Sequence, residues 1–200
     1  MRSVIRAPLE LVLDNQNEIE HTATTHWLVG YPREALSTLE VSVSSTDESI
    51  SVENKGPQKA LPVWLAPLLS IREGDQYITR WTLRFSPLYQ VSSSVWLDPI
   101  TQKPRDHQTL NVMFYNPINQ QQTELVTMFY VASARRLPIV HRAMMLVAAQ
   151  LFRLELYQDQ KMLEGLATKQ VDLRGNTLGR LDQALPAIRQ RVRRVYRREQ

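Results

Sequence analysis

The sequence PIVHRAMMLVAAQLFRLELYQDQKMLEGLATKQ occupies residues 138–170 and decides the fold. Pro138 suits the first turn of a helix, and the good helix formers after it predict one long helix from Ile139 to about Gln170. Apolar side chains recur at spacings of three, four or seven residues, at Ala148, Phe152, Leu156, Leu163 and Leu166. The helix is therefore expected to be amphipathic, with one face directed at a core.

Segments with strand character precede this helix and are bounded by turn residues. They are Leu39–Ser44, Ile50–Glu53, Tyr77–Phe85, Gln90–Leu97, Gln108–Tyr115 and Glu124–Ala132. Proline- and asparagine-rich turns at residues 98–104 and 116–119 separate the last three. Antiparallel strands followed by one long helix predict an α+β fold in which a curved sheet wraps around the helix, the helix-grip fold.

A helix-grip fold leaves a cavity between sheet and helix, which suits a hydrophobic ligand. Large apolar side chains on the predicted strands can line it, or can simply fill the core. They are Trp81, Phe85, Trp96, Met113, Phe114, Met128 and Phe129.

Asp159 falls within the apolar stripe of the long helix, so its carboxylate is aimed at the core. An ionised carboxylate is costly there unless it is paired or coordinates a metal. The sequence therefore predicts a cationic partner for Asp159, either a bound ion or the other half of a structural ion pair.

A second informative segment, DNQNEIEHTATTH at residues 14–26, carries His21 and His26. On an unbroken helix these imidazoles would point roughly 140° apart and could not share a metal. The threonines between them disfavour helix, so a helix ending near His21 and a turn before His26 would let both converge. Two imidazoles and one carboxylate hold non-haem Fe(II) with positions left open. Otherwise the two are unrelated surface or capping histidines.

These residues resemble the mononuclear-iron motif in the catalytic domain of Rieske-type ring-hydroxylating oxygenases. There an acid–Asn pair is followed by an acid three residues before the first His, and the second His comes five residues later. Residues 158–164, with Asp159 followed five residues later by Glu164, resemble the segment that carries the third ligand. The resemblance covers essentially the whole chain, because motif, strands and final helix occur in the family's order.

The resemblance implies a helix-grip domain of the kind shared with START and Bet v 1-like carriers. It implies that His21, His26 and Asp159 bind Fe(II), with Glu18 and Asn15 as further catalytic residues. The implied reaction is hydroxylation or demethylation of a hydrophobic, aromatic small molecule. A homo-oligomer, a trimer in the family, is also implied.

Two features depart from the family. Glu18 stands where the family usually has Asp, the residue thought to link the iron to the cluster of a neighbouring subunit. The chain also has no Cys, so it cannot hold the family's [2Fe-2S] cluster. Electrons would therefore come from a separate ferredoxin or Rieske protein.

The other polar residues near the motif have open roles. Asp14 and Asn15 either fix the imidazole tautomers by hydrogen bonds or cap a helix that runs through Glu20. His107 and His141 lack a convergent partner in the sequence and are expected to be structural.

With 200 residues and 43% hydrophobic content, the composition suits a single domain over residues 1–188. The absence of Cys fits a reducing cytoplasm. The N-terminus lacks a signal-peptide core, and the longest nearly apolar run, residues 143–152, is too short for a transmembrane segment. A soluble cytoplasmic protein is expected.

The net charge of +4 is concentrated in an Arg-rich tail, residues 189–200. We interpret the tail as a solvated terminal helix. The alternative is a docking surface for an acidic electron donor, a nucleic acid or an anionic membrane. No nucleic-acid partner is expected for the chain as a whole.

Three functions follow from these patterns. The first is a non-haem Fe(II)-dependent oxygenase domain. The second is a non-catalytic helix-grip protein that binds an apolar ligand. The third is a subunit that serves only to assemble an oxygenase with a cluster-bearing partner.

Overall fold

The structure is a computed structural model that describes residues 1–28, 30–69, 71–133, 138–172 and 178–197. For residues 67, 68, 138–141 and 143 it describes the backbone only. The side chain of His141 and residues 198–200 of the tail therefore lie outside the described part.

The strands form one antiparallel sheet in the order β1-β7-β6-β5-β4-β3-β2. They are β1 (Arg2–Ile5), β2 (Glu40–Ser45), β3 (Ser49–Pro57), β4 (Gln76–Phe85), β5 (Leu88–Leu97), β6 (Pro104–Asn119) and β7 (Gln122–Ser133). Each predicted strand is present, and most are longer than predicted. The sequence analysis missed β1, because four residues are too few to show an alternating pattern.

The α-helices are α1 (Leu9–Asn17), α2 (Ala66–Leu69), α3 (Pro138–Glu164) and α4 (Leu185–Val192). The long helix α3 lies against the inner face of the sheet, where Phe152 stacks on Phe129 of β7 with ring centroids 4.6 Å apart. It ends at Glu164 and not near Gln170, because Gly165 is a poor helix former. Leu166 is accordingly exposed and does not extend the apolar stripe.

This arrangement is an α+β fold with an antiparallel sheet and a long helix against one face, so the helix-grip prediction is confirmed. Within the described residues, no helix combines the length and apolar character needed to cross a bilayer.

The C-terminal helix α4 packs into the main core beside α1, with Ile188 and Val192 fully buried. Arg189 is only 3% exposed and binds the Asp14 carboxylate through Nε and Nη2. Arg197 binds both carboxylate oxygens of Glu10, at 2.9 and 3.0 Å. The expectation of a solvated tail is therefore wrong where Arg189, Val192 and Arg197 pack against the domain, while Arg193 and Arg194 are exposed. The sequence analysis missed this packing because the many arginines obscure the apolar positions between them. The domain boundary at residue 188 stays a prediction.

Candidate metal centre

The segment that carries the two histidines is an interrupted helix. Helix α1 ends at Asn17, an isolated 3-10 turn spans Glu20–Ala23, and a further turn leads to His26. The Thr25 amide donates to the His21 carbonyl at 2.7 Å and so closes that turn. The helix ends earlier than expected, but the break has the expected consequence, because both imidazoles point to the same place.

That place is the carboxylate of Asp159 on α3. The Nε2 atoms of His21 and His26 are 3.2 Å apart, and they lie 3.5 and 3.4 Å from Asp159 Oδ1. An ion held about 2.1 Å from three ligand atoms requires those atoms to be about 3.0 to 3.5 Å apart, from octahedral to tetrahedral bond angles. The triangle therefore has the size of a three-ligand metal site.

The hydrogen bonds around His21 favour the tautomer that a metal needs. Its Nδ1 lies 2.7 Å from the Glu18 carbonyl oxygen, so Nδ1–H donates, and Nε2 is the nitrogen that faces Asp159 and can bind a metal once its proton is lost. Ligating histidines commonly donate their other ring N–H in this way. The Glu18 carboxylate also accepts the His21 backbone N–H at 3.1 Å, so Glu18 holds both ring and backbone.

Asp159 has one satisfied and one unsatisfied oxygen. Its Oδ2 accepts a hydrogen bond from Gln16 Nε2 at 3.0 Å. Its Oδ1, the atom facing the imidazoles, is buried and accepts no hydrogen bond of good geometry among the described residues. A buried carboxylate oxygen is costly without a partner, and a cation between the three residues would supply one. The residues present therefore fit a divalent metal.

The electrostatics of the three groups are coupled. Burial raises the pKa of Asp159, but the close approach of His21 and the charges of both imidazoles outweigh it, and its pKa lies below the ordinary value. Burial lowers the pKa of His21, but the carboxylates of Asp159 and Glu18 raise it to about 9. Burial lowers the pKa of His26 below its ordinary value. Without metal, the site is thus a His21 cation beside an Asp159 anion, with His26 neutral.

The acid–Asn pair of the motif divides into two environments. Asn15 is 5% exposed and lines the same cavity as the triad, and neither its amide nitrogen nor its oxygen has a partner within the described residues. The Asp14 side chain turns away and binds Arg189. Both residues lie inside α1, whose N-cap is Pro8, so the capping interpretation is wrong for both, and Asp14 does not orient an imidazole.

Two residues that support the site were missed by the sequence analysis. Gln16 binds Asp159, and Lys59 Nζ donates to the carbonyl oxygens of His26 and Thr22 from a distant loop. Gln16 lies within the motif, where its polar character gave a weak signal. Nothing in the local sequence connects Lys59 to residues more than thirty positions away.

The triad opens into a cavity of about 150 Å³ between the sheet and α3. Its other walls combine polar residues, among them Gln90, Ser92 and Asn111, with the apolar side chains of Trp81 and Met113. A neighbouring apolar cavity of about 110 Å³ shares Tyr77, Ser94, Asn111, Phe152 and Glu155 with it and extends to Leu69, Trp96, Phe129 and Met144.

The predicted cavity lining is confirmed in part. Trp96 and Phe129 line the apolar cavity, and Met113 and Trp81 line the cavity that contains the triad. Phe85 packs in the core. Phe114 and Met128 were assigned to the wrong face of the sheet. They directly follow the buried residues Met113 and Thr127, and successive residues of a strand point to opposite faces, so both point outward. His107 is buried and lines the apolar cavity.

Comparison with solved structures gives the same fold at low sequence identity. Dicamba monooxygenase bound to 3,6 dichlorosalicylic acid matches with a TM-score of 0.71 and 11% identity over 97% of this chain and 57% of that chain. The NdmA QL mutant with caffeine, from Pseudomonas putida CBB5, matches with a TM-score of 0.62 and 12% identity over 94% of this chain and 47% of that chain. NdmB from the same organism matches with a TM-score of 0.59 and 12% identity, over 94% and 46%.

No protein-family model matches the sequence, and no curated protein matches it significantly. The chain spans about half the length of the solved structures that it resembles. At these identities the likeness shows the fold alone. It shows a helix-grip domain of the kind that dicamba monooxygenase contains.

Proposed function

We propose that this chain is a non-haem Fe(II)-dependent oxygenase domain whose metal is held by His21, His26 and Asp159. The observation that carries the proposal is the triangle of ligand atoms 3.2 to 3.5 Å apart, with an unsatisfied carboxylate oxygen at one corner. Two imidazoles and a carboxylate on one side of a metal, with open positions opposite, are the ligand set of non-haem iron oxygenases. The fold shared with dicamba monooxygenase supports the proposal.

The chain's own residues have distinct roles in this proposal. Bound Fe(II) would supply the one-electron chemistry that activates oxygen. Glu18 holds the His21 tautomer and, with its side chain 23% exposed, lies between the site and the surface where a donor could reach. Asn15 presents an unpaired amide to the cavity and would hydrogen-bond whatever occupies it.

The proposed substrate is a hydrophobic small molecule that undergoes hydroxylation or demethylation. The apolar cavity adjoining the triad would hold its body, and the polar walls near Asn111 would orient the reacting end. An aromatic body suits the stacked Phe129 and Phe152 rings.

Electrons would come from a separate ferredoxin or Rieske protein, because the chain has no Cys to hold a cluster. We propose that the domain works in the cytoplasm and self-associates. The trimer that the resemblance implies stays a prediction, and a two-fold dimer is the alternative to it.

A non-catalytic role has one observation in its favour. The charged pair of His21 and Asp159 can satisfy both groups without a metal, since their pKa values are shifted toward the ionised forms. The chain would then be a carrier of an apolar ligand, or an assembly subunit. Metal content separates these alternatives from the oxygenase.

The test is an Asp159→Ala variant, reconstituted anaerobically with Fe(II) beside the wild type. We expect about one iron per wild-type chain, and loss of tight binding in the variant, because a ligand is removed. The fold should survive, since the change also removes a buried carboxylate. Asp47→Ala, at an exposed turn, is the matched control and should keep its iron.

If Asp159 is only the buried half of an ion pair, the variant should lose about 3 to 5 kcal/mol of stability. The iron content would then be the same in the wild type and the variant. That outcome would end the three-ligand proposal.

A further inference from the structure

The outer face of the sheet, opposite α3, carries an apolar patch on three neighbouring strands, β5, β6 and β7. Strand register places three side chains per strand in neighbouring rows. The rows are Tyr89–Phe114–Val126, Val91–Val112–Met128 and Ser93–Leu110–Tyr130. Only Ser93 is polar. We call this group the outer patch.

The outer patch is exposed to solvent at its largest residues. Leu110, Phe114, Met128 and Tyr130 are 36% to 48% exposed. Scattered apolar residues are normal on a protein surface, but a contiguous block of them is typical of a binding surface. No described element of the chain packs over it.

The part of the outer face on β4, beside the outer patch, is equally open to solvent but carries polar side chains. The outward residues of β4 that lie directly beside the patch are Arg80, Thr82 and Arg84. They pair with polar residues: Arg80 with Glu53, Arg84 with Glu48, and Thr82 with Ser51. The sheet face therefore changes from polar to apolar between β4 and β5, as expected if only the second half is covered.

We propose that the outer patch binds the same patch of a second copy of this chain, forming a two-fold dimer with the sheets face to face. The patch contains no charged side chain, and the neighbouring charges are satisfied within the chain, so a strongly charged partner finds little to recognise. Two copies of one sheet have the same twist, and sheets with matching twist pack well at about 10 Å.

The size of the outer patch suits the centre of such an interface. It extends about 14 Å along the strands and about 10 Å across them between Cα atoms, or roughly 300 to 400 Å² with side chains. A stable dimer buries about 800 Å² per partner, with an apolar centre and a polar rim. The residues of β4 on one side and the Arg2–Glu124 pair on the other would supply the rim.

With the two-fold axis along the central strand, β6 faces β6 and β5 of one copy faces β7 of the other. Each apolar row then meets an apolar row, and Val112 lies close to its own counterpart. Because a two-fold contact uses the same patch on both copies, it closes after two chains.

The test is the mass in solution, measured by sedimentation or light scattering from about 1 to 100 µM, where a dimer of micromolar affinity forms. We expect a dimer for the wild type and a monomer for Met128→Lys, which places a charge in the middle row of the patch. Ser44→Lys adds the same charge to the outward face of β2, three strands away from β5, and should remain a dimer. Unfolding midpoints of the two variants, measured as monomers at low concentration, check that both are folded.

A second measurement does not depend on adding a charge to the surface. Because the chain has no Cys, Val112→Cys introduces a single thiol near the proposed axis. A bis-maleimide of about 10 Å span should join two chains, since packed sheets are about 10 Å apart. Ser44→Cys, on the outward face of β2, should stay unjoined.

A wild-type monomer at all these concentrations, a trimer, or a dimer that persists in Met128→Lys would overturn the proposal. So would a dimer in which Val112→Cys is not joined. None of these measurements involves a metal, so they succeed or fail independently of the oxygenase function.

Discussion

Replacing Arg189 by methionine removes one half of a buried ion pair between the C-terminal helix α4 and α1. The Arg189 guanidinium, with 4% of its side chain exposed, binds both oxygens of Asp14 and also donates to the Val171 carbonyl oxygen at 3.0 Å. Methionine fills a similar volume but donates no hydrogen bond. The Asp14 carboxylate would then stay buried without its cation.

Breaking a buried pair by removing one partner typically costs 3 to 5 kcal/mol, about as much as a domain of this size can lose before its stability is marginal. For 150 to 250 residues, each 1 kcal/mol lowers the unfolding midpoint by about 2 to 4 °C. We therefore expect Arg189→Met to lower the midpoint by about 6 to 20 °C. The pKa of Asp14 is already raised by burial, and it should rise further.

Thermal unfolding followed by circular dichroism measures this effect, with two comparisons. Arg193→Met changes a residue just beyond α4 whose side chain is 46% exposed and only 3.8 Å from Asp172, and it should cost less than about 1 kcal/mol. Combining Arg189→Met with Asp14→Leu removes both charges and should recover most of the loss. A midpoint for Arg189→Met equal to that of Arg193→Met would refute this reasoning.

Three further outcomes are expected. Truncation after Gln190 removes the buried Val192 and the Arg197–Glu10 pair, so the shortened chain should be markedly less stable, and equal stability would restore the view of a solvated tail. Because the pKa of His21 is about 9 without metal, metal binding at pH 7 should displace about one proton, and metal affinity should increase as the pH rises to 9. Calorimetry in buffers of different ionisation enthalpy detects the released proton. Identical binding heats in all buffers would contradict this prediction. Glu18→Ala removes the carboxylate that accepts the His21 backbone N–H but keeps the carbonyl oxygen that accepts Nδ1–H, so metal affinity, measured by competition with a chelator, should fall by no more than about 10-fold, while Glu20→Ala, at the exposed neighbouring position, should leave it unchanged.

The elements that sequence reasoning predicted best are those with a clear period. Helix α3 and the six longer strands contain enough apolar side chains to identify the type of each element. The four-residue β1 and the Arg-rich α4 gave no such signal. From α4 into the helical turn at Arg193–Arg197, apolar positions are spaced by four: Ile188 and Val192 are buried and Tyr196 is partly buried. The six arginines around them dominate the composition.

The assignment of Phe114 and Met128 to the cavity was wrong for a different reason. Strand β6 is apolar at consecutive positions, with Val112, Met113 and Phe114 in a row, so its sequence contains no alternation that distinguishes the faces. The register supplies what the sequence lacks. Met113 pairs with Thr127, which is buried, and Phe114 pairs with Val126 on the exposed face.

The convergence of the three candidate ligands was predictable because two independent constraints agree. One is local: a break between His21 and His26 is required before two imidazoles five residues apart can share a ligand. The other is distant: the apolar period of α3 aims Asp159 at the core. The two constraints are independent, because the histidines and Asp159 are more than 130 positions apart in the sequence.

Helix α1 shows why the surroundings of the site were harder to predict than its centre. It presents Glu10 and Asp14, one turn apart, to arginines near the C-terminus, and Asn15 to the cavity. In the sequence all three look like ordinary polar residues near a helix start. Only the packing of α4 distinguishes acids that bind arginine from an amide that faces the metal cavity. The charge pairs in turn fix the orientation of the helix from which the histidine segment emerges, so loss of Arg189 should reduce metal affinity as well as stability.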